Sequence, residues 1–161
     1  MIGVETDVSD EWDSRTDWSA LARSAVHAAL AASRHAGLAD SEISVTFTSD
    51  DEVRALNAKW RGRDKPTNVL SFPMAKEAEL ASAQLLGDIV LAYGVCAREA
   101  ADKSVEVATH AAHLVVHGTL HLLGYDHETS DAEAEEMEET ERRALAAIGI
   151  ADPYHVSEVD T

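Results

Sequence analysis

Basic residues, cysteine and long apolar runs are what this chain has least of. Thirteen lysines and arginines stand against thirty acids in 161 residues, a formal net charge of -17. A field of that sign repels nucleic-acid phosphates, so a role on RNA or DNA requires a local exception. The single cysteine, Cys96, excludes an internal disulfide. No apolar stretch nears the ~20 residues of a membrane helix before a charge or glycine interrupts it. The opening MIGVETDVSDEW has neither the basic nor the apolar region of a secretory signal. The expectation is a soluble, cytoplasmic protein with no membrane partner. A chain that is 45 % apolar suits one domain with a real core, here residues 1–149, with 150–161 read as a flexible C-terminal tail.

The local exception exists. Of the thirteen basic residues, Lys59, Arg61, Arg63 and Lys65 fall in one short stretch, KWRGRDK, while acids crowd 131–141. The basic stretch is either a solvated loop or an anion-binding segment; the acidic run reads as the solvated face of a helix.

Periodicity supplies the element order. IGVETDV reads as a first strand, and DWSALARSAVHAALAASRHAG as a helix capped by Asp17 and closed by Gly37. EISVTFTS alternates Ile43, Val45 and Phe47 against polar neighbours, the mark of a half-buried strand. A helix follows, with Ser49 and Glu52 as a capping box and Val53, Leu56 and Trp60 as its apolar stripe. TNVLSFP and GDIVLAY are strand-like, the second apolar enough to be buried on both faces. The segment MAKEAELASAQLL between them is either a loop or a short helix. A long helix runs from Ser104 to about Leu123, apolar nearly all round. The last helix starts at a second capping box, Ser130 with Glu133, and turns Ala134, Met137, Leu145 and Ile148 inward. The order βαβαββααα predicts an α+β (α/β layer) domain, a small mixed four-stranded sheet packed by about five helices.

The chemistry lies in the long helix. His110, His113, His117 and His121 recur at three and four residues and share a face about 80° wide. A lone histidine on a buried helix is usually a hydrogen-bonded core residue, and His110 is read that way. HGTLHLLGYDH, residues 117–127, is different. His117 and His121 stand one turn apart, Gly124 ends the helix in a left-handed turn, and the reversed chain can return His127 to the same point. Three imidazoles with one position left open make a zincin-like catalytic zinc site rather than a closed structural one. His113, one turn earlier, either lines the site and touches substrate or packs in the core. Asp88 and Asp126 are candidate carboxylates to receive the ligands' other N–H groups, or to accept a proton.

Together with WRGRDKPTNVLSFP and LGDIVLAY, this histidine motif resembles the YbeY family of bacterial single-strand-specific endoribonucleases, in the family's order across residues 60–127. The resemblance implies one Zn²⁺ ion held by His117, His121 and His127, and a functional arginine at Arg61. It implies action on single-stranded ribosomal RNA, in 16S rRNA 3′-end maturation and ribosome quality control, with the small ribosomal subunit and its assembly factors as partners. The acidic, alanine-rich surroundings depart from the pattern.

Gly118 occupies the position of the glutamate in the peptidase motif HExxH. A phosphodiester demands neutralisation of phosphorane charge more than a base that serves a poor amine leaving group. On this reading Gly118 removes the base and opens space, and Arg61 clamps the phosphate while Lys59, Arg63 and Lys65 follow the strand's backbone. Two alternatives remain: a zincin-like peptidase using Asp126, and a non-catalytic ribosome-assembly factor with structural zinc.

Overall fold

The alternating and continuous apolar segments assemble into one sheet, ordered β1-β2-β4-β3, in the computed structural model, which describes residues 1–126 and 128–153. The strands are β1 (Gly3–Val8), β2 (Glu42–Thr48), β3 (Val69–Pro73) and β4 (Leu85–Ala92). β1, β2 and β4 run parallel; β3 pairs antiparallel with β4 and forms an edge. Among the described residues the α-helices are α1 (Trp18–Ala32), α2 (Asp50–Arg61), α3 (Tyr93–Asp102), α4 (Val107–Leu122) and α5 (Asp131–Ala147). The segment left open between β3 and β4 forms a short 3₁₀ turn, Glu77–Ser82. The mixed four-stranded α+β layer architecture is therefore the one expected.

Side-chain parity divides the sheet into two working faces. Ile43, Val45 and Phe47 of β2 are fully buried with α1, α4 and α5 in the main core. Phe47 also meets Trp12 and Trp18 in an aromatic cluster, with ring centroids 5.1 and 5.4 Å away. On the opposite face Leu70 and Val90 pack with Val53 of α2. β4 lies inside both layers, which explains its near-continuous apolar run.

Caps set the helix limits. Asp17 accepts from the Ala20 N–H, Ser49 from Glu52, and Ser130 from Glu133. The close of α1 differs from expectation: it ends at Ala32 rather than near Gly37. Ser33 turns extended and its hydroxyl donates to the Leu30 carbonyl, while the Arg34 N–H is taken by the Tyr125 hydroxyl, so a tertiary contact interrupts the helix early. α4 likewise starts at Val107, after Ser104 adopts a left-handed conformation. Of the expected tail, the beginning is tied to the domain. The Ile150 N–H donates to the Leu145 carbonyl, and Asp152 pairs with Arg142 at 3.1 Å.

Candidate active site at the β3 edge

Two layers meet at the open edge of the sheet: the end of α2 reaches it from one face and the C-terminal half of α4 from the other. Between them lies a cleft of about 960 Å³ lined by, among others, Arg61, Arg63, Lys65, His117, His121 and Asp126. The sequence places these residues far apart, and the edge of β3 brings them together.

His117 and His121 project from one face of α4, with their Nε2 atoms 3.0 Å apart. Each ring is held from its other side. The Nδ1 of His121 stands 3.0 Å from the Tyr125 carbonyl oxygen, which can only accept, so this nitrogen carries the proton. The Nδ1 of His117 lies 2.5 Å from Glu141 Oε1 and donates to that carboxylate. Both Nε2 lone pairs then point towards one place, an arrangement that repels itself unless a cation or shared proton lies between. Two nitrogens held ~2.0–2.1 Å from one tetrahedral ion stand roughly 3.3 Å apart, so the pair fits a zinc ion with little movement. Among the described residues no group of three His, Cys, Asp or Glu side chains is arranged to hold a metal, and His127, the expected third ligand, lies outside them.

Glu141 is the functional residue that sequence reasoning missed. It was counted within the acidic face of α5, yet its side chain is 0 % exposed and its second oxygen lies 3.0 Å from His113 Nε2. The signal was present in the spacing. Met137, Glu141 and Leu145 repeat every four residues, and all three are buried, so Glu141 sits in the inward stripe of the helix. A buried carboxylate shared by two histidines fixes the ring and tautomer of His117. His113 is 8 % exposed and bonded to Glu141; it is not in the lining of the Arg61 cleft, but with His110 and His117 it lines a second cavity of about 360 Å³. His110 is also interior, 2.8 Å from Glu99, and burial lowers its pKa below the ordinary value despite that partner.

Of the two expected carboxylate partners, Asp88 takes another place. Gly87 and Ile89 face α4, as the approach of Leu122 to the first and Gly118 to the second shows. Asp88, between them, therefore projects from the opposite face and reaches neither histidine. Asp126 lines the cleft, but its oxygens accept from the Glu128 N–H at 2.8 Å and the Thr129 hydroxyl at 2.9 Å, shaping the turn after α4. Gly124 within that turn has φ 97°, as the left-handed helix end requires.

Gly118 also has a different role from the one expected. A Cβ there would stand 2.9 Å from Ile89 Cγ2 and 3.1 Å from Ser71 Oγ, and the Ser71 hydroxyl donates to the Gly118 carbonyl. The residue lets α4 lie close on β3 and β4; it opens no space in the cleft. Gly118→Ala is expected to destabilise the protein by about 1–3 kcal/mol, read as a lower denaturant midpoint.

Arg61 is the last residue of α2. Its guanidinium carbon lies 5.3 Å from the Phe72 ring centroid, and Nη2 donates to the Ser71 carbonyl on the exposed edge of β3. Buried Asn57 steadies the basic loop that follows, accepting the Arg63 N–H through its carbonyl and donating from Nδ2 to the Lys65 carbonyl at 2.8 Å. Lys59 is placed differently, outside the cleft, with Nζ 5.0 Å from the Trp60 ring centroid. Cys96 plays no part here: burial pushes its thiol up to about 12, which keeps it a protonated core side chain.

Comparison with known proteins identifies the family. The family model described as endoribonuclease YbeY matches residues 5–149. An endoribonuclease YbeY from Novosphingobium aromaticivorans is 52 % identical over 162 residues, covering 96 % of this chain and 97 % of the relative. The namesake from Rhizorhabdus wittichii is 52 % identical over 169 residues, covering 98 % and 99 %. The solution structure of a Thermotoga maritima protein shares the fold at TM-score 0.56 and 23 % identity, covering 97 % of this chain and 100 % of that one. No helix among the described residues is long and apolar enough to cross a membrane. Matched by the family model across almost its whole length and by relatives across nearly theirs, the chain belongs to the YbeY family of endoribonucleases.

Proposed function

We propose that this YbeY-family endoribonuclease cuts single-stranded RNA with one zinc ion held by His117, His121 and His127, and that its cytoplasmic work is the maturation of ribosomal RNA. The observation that carries the reading is the convergence of the two histidine Nε2 atoms in the cleft that also holds Arg61. When bound, the ion supplies a Lewis acid that offsets phosphoryl charge and makes water a better nucleophile at neutral pH. The protein's own groups do the rest. Glu141 and the Tyr125 carbonyl hold the imidazoles in the tautomer that presents Nε2. Arg61 binds the phosphodiester oxygens with a planar, permanently charged fork. Arg63 and Lys65 take neighbouring phosphates. The small ribosomal subunit and its assembly factors are the partners that suit such a substrate.

The peptidase alternative has little support. Residue 118 faces the sheet, where a carboxylate would meet Ile89. Chelated protein is expected to lose cleavage of a single-stranded RNA oligonucleotide and to regain it with added zinc, as measured on a denaturing gel. Cleavage that survives chelation would contradict the proposal.

A further inference from the structure

Trp60 behaves unlike the other two tryptophans. Trp12 and Trp18 are 2 % and 5 % exposed, and their indole N–H groups donate to the carbonyls of Thr48 and Asp13. Trp60 is 61 % exposed, the one aromatic among the exposed large hydrophobic side chains of the described residues. Its position follows from the helix. Val53, Asn57 and Trp60 share the sheet-facing stripe of α2, and the first two are 0 % and 4 % exposed. The stripe therefore runs on into the last turn of α2 without cover, leaving the indole exposed next in the chain to Arg61, though not itself in the lining of the cleft. Asn57 lines that cleft one turn earlier and Arg61 lines it one residue later.

The surroundings select the chemistry of what covers this ring. The chain carries a net charge of -17, yet Trp60 sits within the basic stretch 59–65, with the Lys59 ammonium over one face of its ring and the opposite face left for a base. An apolar partner protein would need no such concentration of cations, whereas a polyanion with flat bases needs both. We propose that Trp60 is a stacking platform for an unpaired nucleobase of the strand whose phosphate reaches Arg61. Stacking is tolerant of base identity but demands a free π-face, which a duplex hides between neighbouring pairs. Trp60 therefore selects single strands while the cations hold the backbone. The inference rests on the endoribonuclease reading of the same cleft.

The test uses the full-length, zinc-loaded protein and a short single-stranded oligoribonucleotide, with the duplex of the same sequence as control. Because Trp12 and Trp18 are buried, oligonucleotide binding should quench the emission of Trp60, and Trp60→Phe should abolish that quenching while still binding. Trp60→Ala should raise Kd and KM for the single strand roughly tenfold or more, leave kcat nearly unchanged, and leave weak duplex binding unaltered. Trp60→Phe should recover most of the lost affinity. Wild-type affinity in Trp60→Ala, quenching that persists in Trp60→Phe, or equal losses for duplex and single strand would each overturn the platform and leave the nuclease assignment standing. A wild-type protein that binds no single-stranded RNA would overturn both together.

Discussion

Glu141→Ala is expected to lower the stability of the metal-free protein by about 3–5 kcal/mol and to weaken zinc binding by roughly 10–100-fold. The carboxylate is 0 % exposed and contacts His117 Nδ1 with one oxygen and His113 Nε2 with the other. Its removal takes the carboxylate acceptor from the buried His113 and from the part-buried His117, and lets the His117 ring rotate. Glu141→Gln separates the two effects. The amide preserves the volume, so most of the packing survives, but it lacks the charge that makes His117 a better donor to the metal. The Gln variant should accordingly regain much of the melting temperature while keeping most of the loss in zinc affinity. A thermal melt of metal-free protein and a competition titration with a chromophoric chelator measure the two quantities. Wild-type zinc affinity in both variants would show that the carboxylate serves the core alone.

The second large effect is expected at Arg61. Arg61→Ala should reduce kcat for single-stranded RNA by about 10²–10³-fold, the usual consequence of removing one preorganised donor from a developing anion. Folding should be nearly unaffected, because the side chain is exposed at the end of α2 and its contacts are with the Ser71 carbonyl and the Phe72 ring. Zinc content should also be unchanged, since Arg61 touches neither histidine through any hydrogen bond of the described residues. Arg61→Lys should rescue only in part: a lysine keeps the charge but not the fork, and it loses the planar stacking on Phe72. Multiple-turnover cleavage rates, with metal analysis and a melt for each variant, check this. An Arg61→Ala protein that cleaves at the wild-type rate would remove the clamp from the mechanism.

The features that were legible beforehand are those that depend on local periodicity. Alternation in 43–48 and the apolar run of β4 specify strands because burial on one or two faces leaves that imprint. The capping serines and aspartate mark helix starts because their side chains compete for the first free N–H groups. His117 and His121 were legible for the same reason: one helical turn brings them together whatever the rest of the chain does.

What depends on where an element lies against its neighbours was misread. Asp88 had the right chemistry, but strand parity tells only that it opposes Gly87 and Ile89, and the identity of the covered face comes from α4. Trp60 continued an apolar stripe, and nothing in its spacing says that the last turn of α2 leaves it without cover. Gly118 was compared with a peptidase glutamate because it occupies the corresponding step between two histidines. Its actual constraint is the closeness of helix to sheet. Glu141 was hidden by company: surrounded by surface acids, it looked like one of them, although its four-residue spacing from Met137 and Leu145 placed it inside.

The central claim is that one metal ion at the convergence of the histidine Nε2 atoms is required for RNA cleavage by this chain. Zinc titrated into metal-free protein, with cleavage of a single-stranded oligonucleotide followed at each addition, tests it most directly. Activity should rise to a plateau at one zinc per chain, and His117→Ala should bind no zinc at that affinity and show no cleavage. Full cleavage by metal-free protein, or by His117→Ala that has lost its zinc, would contradict the account.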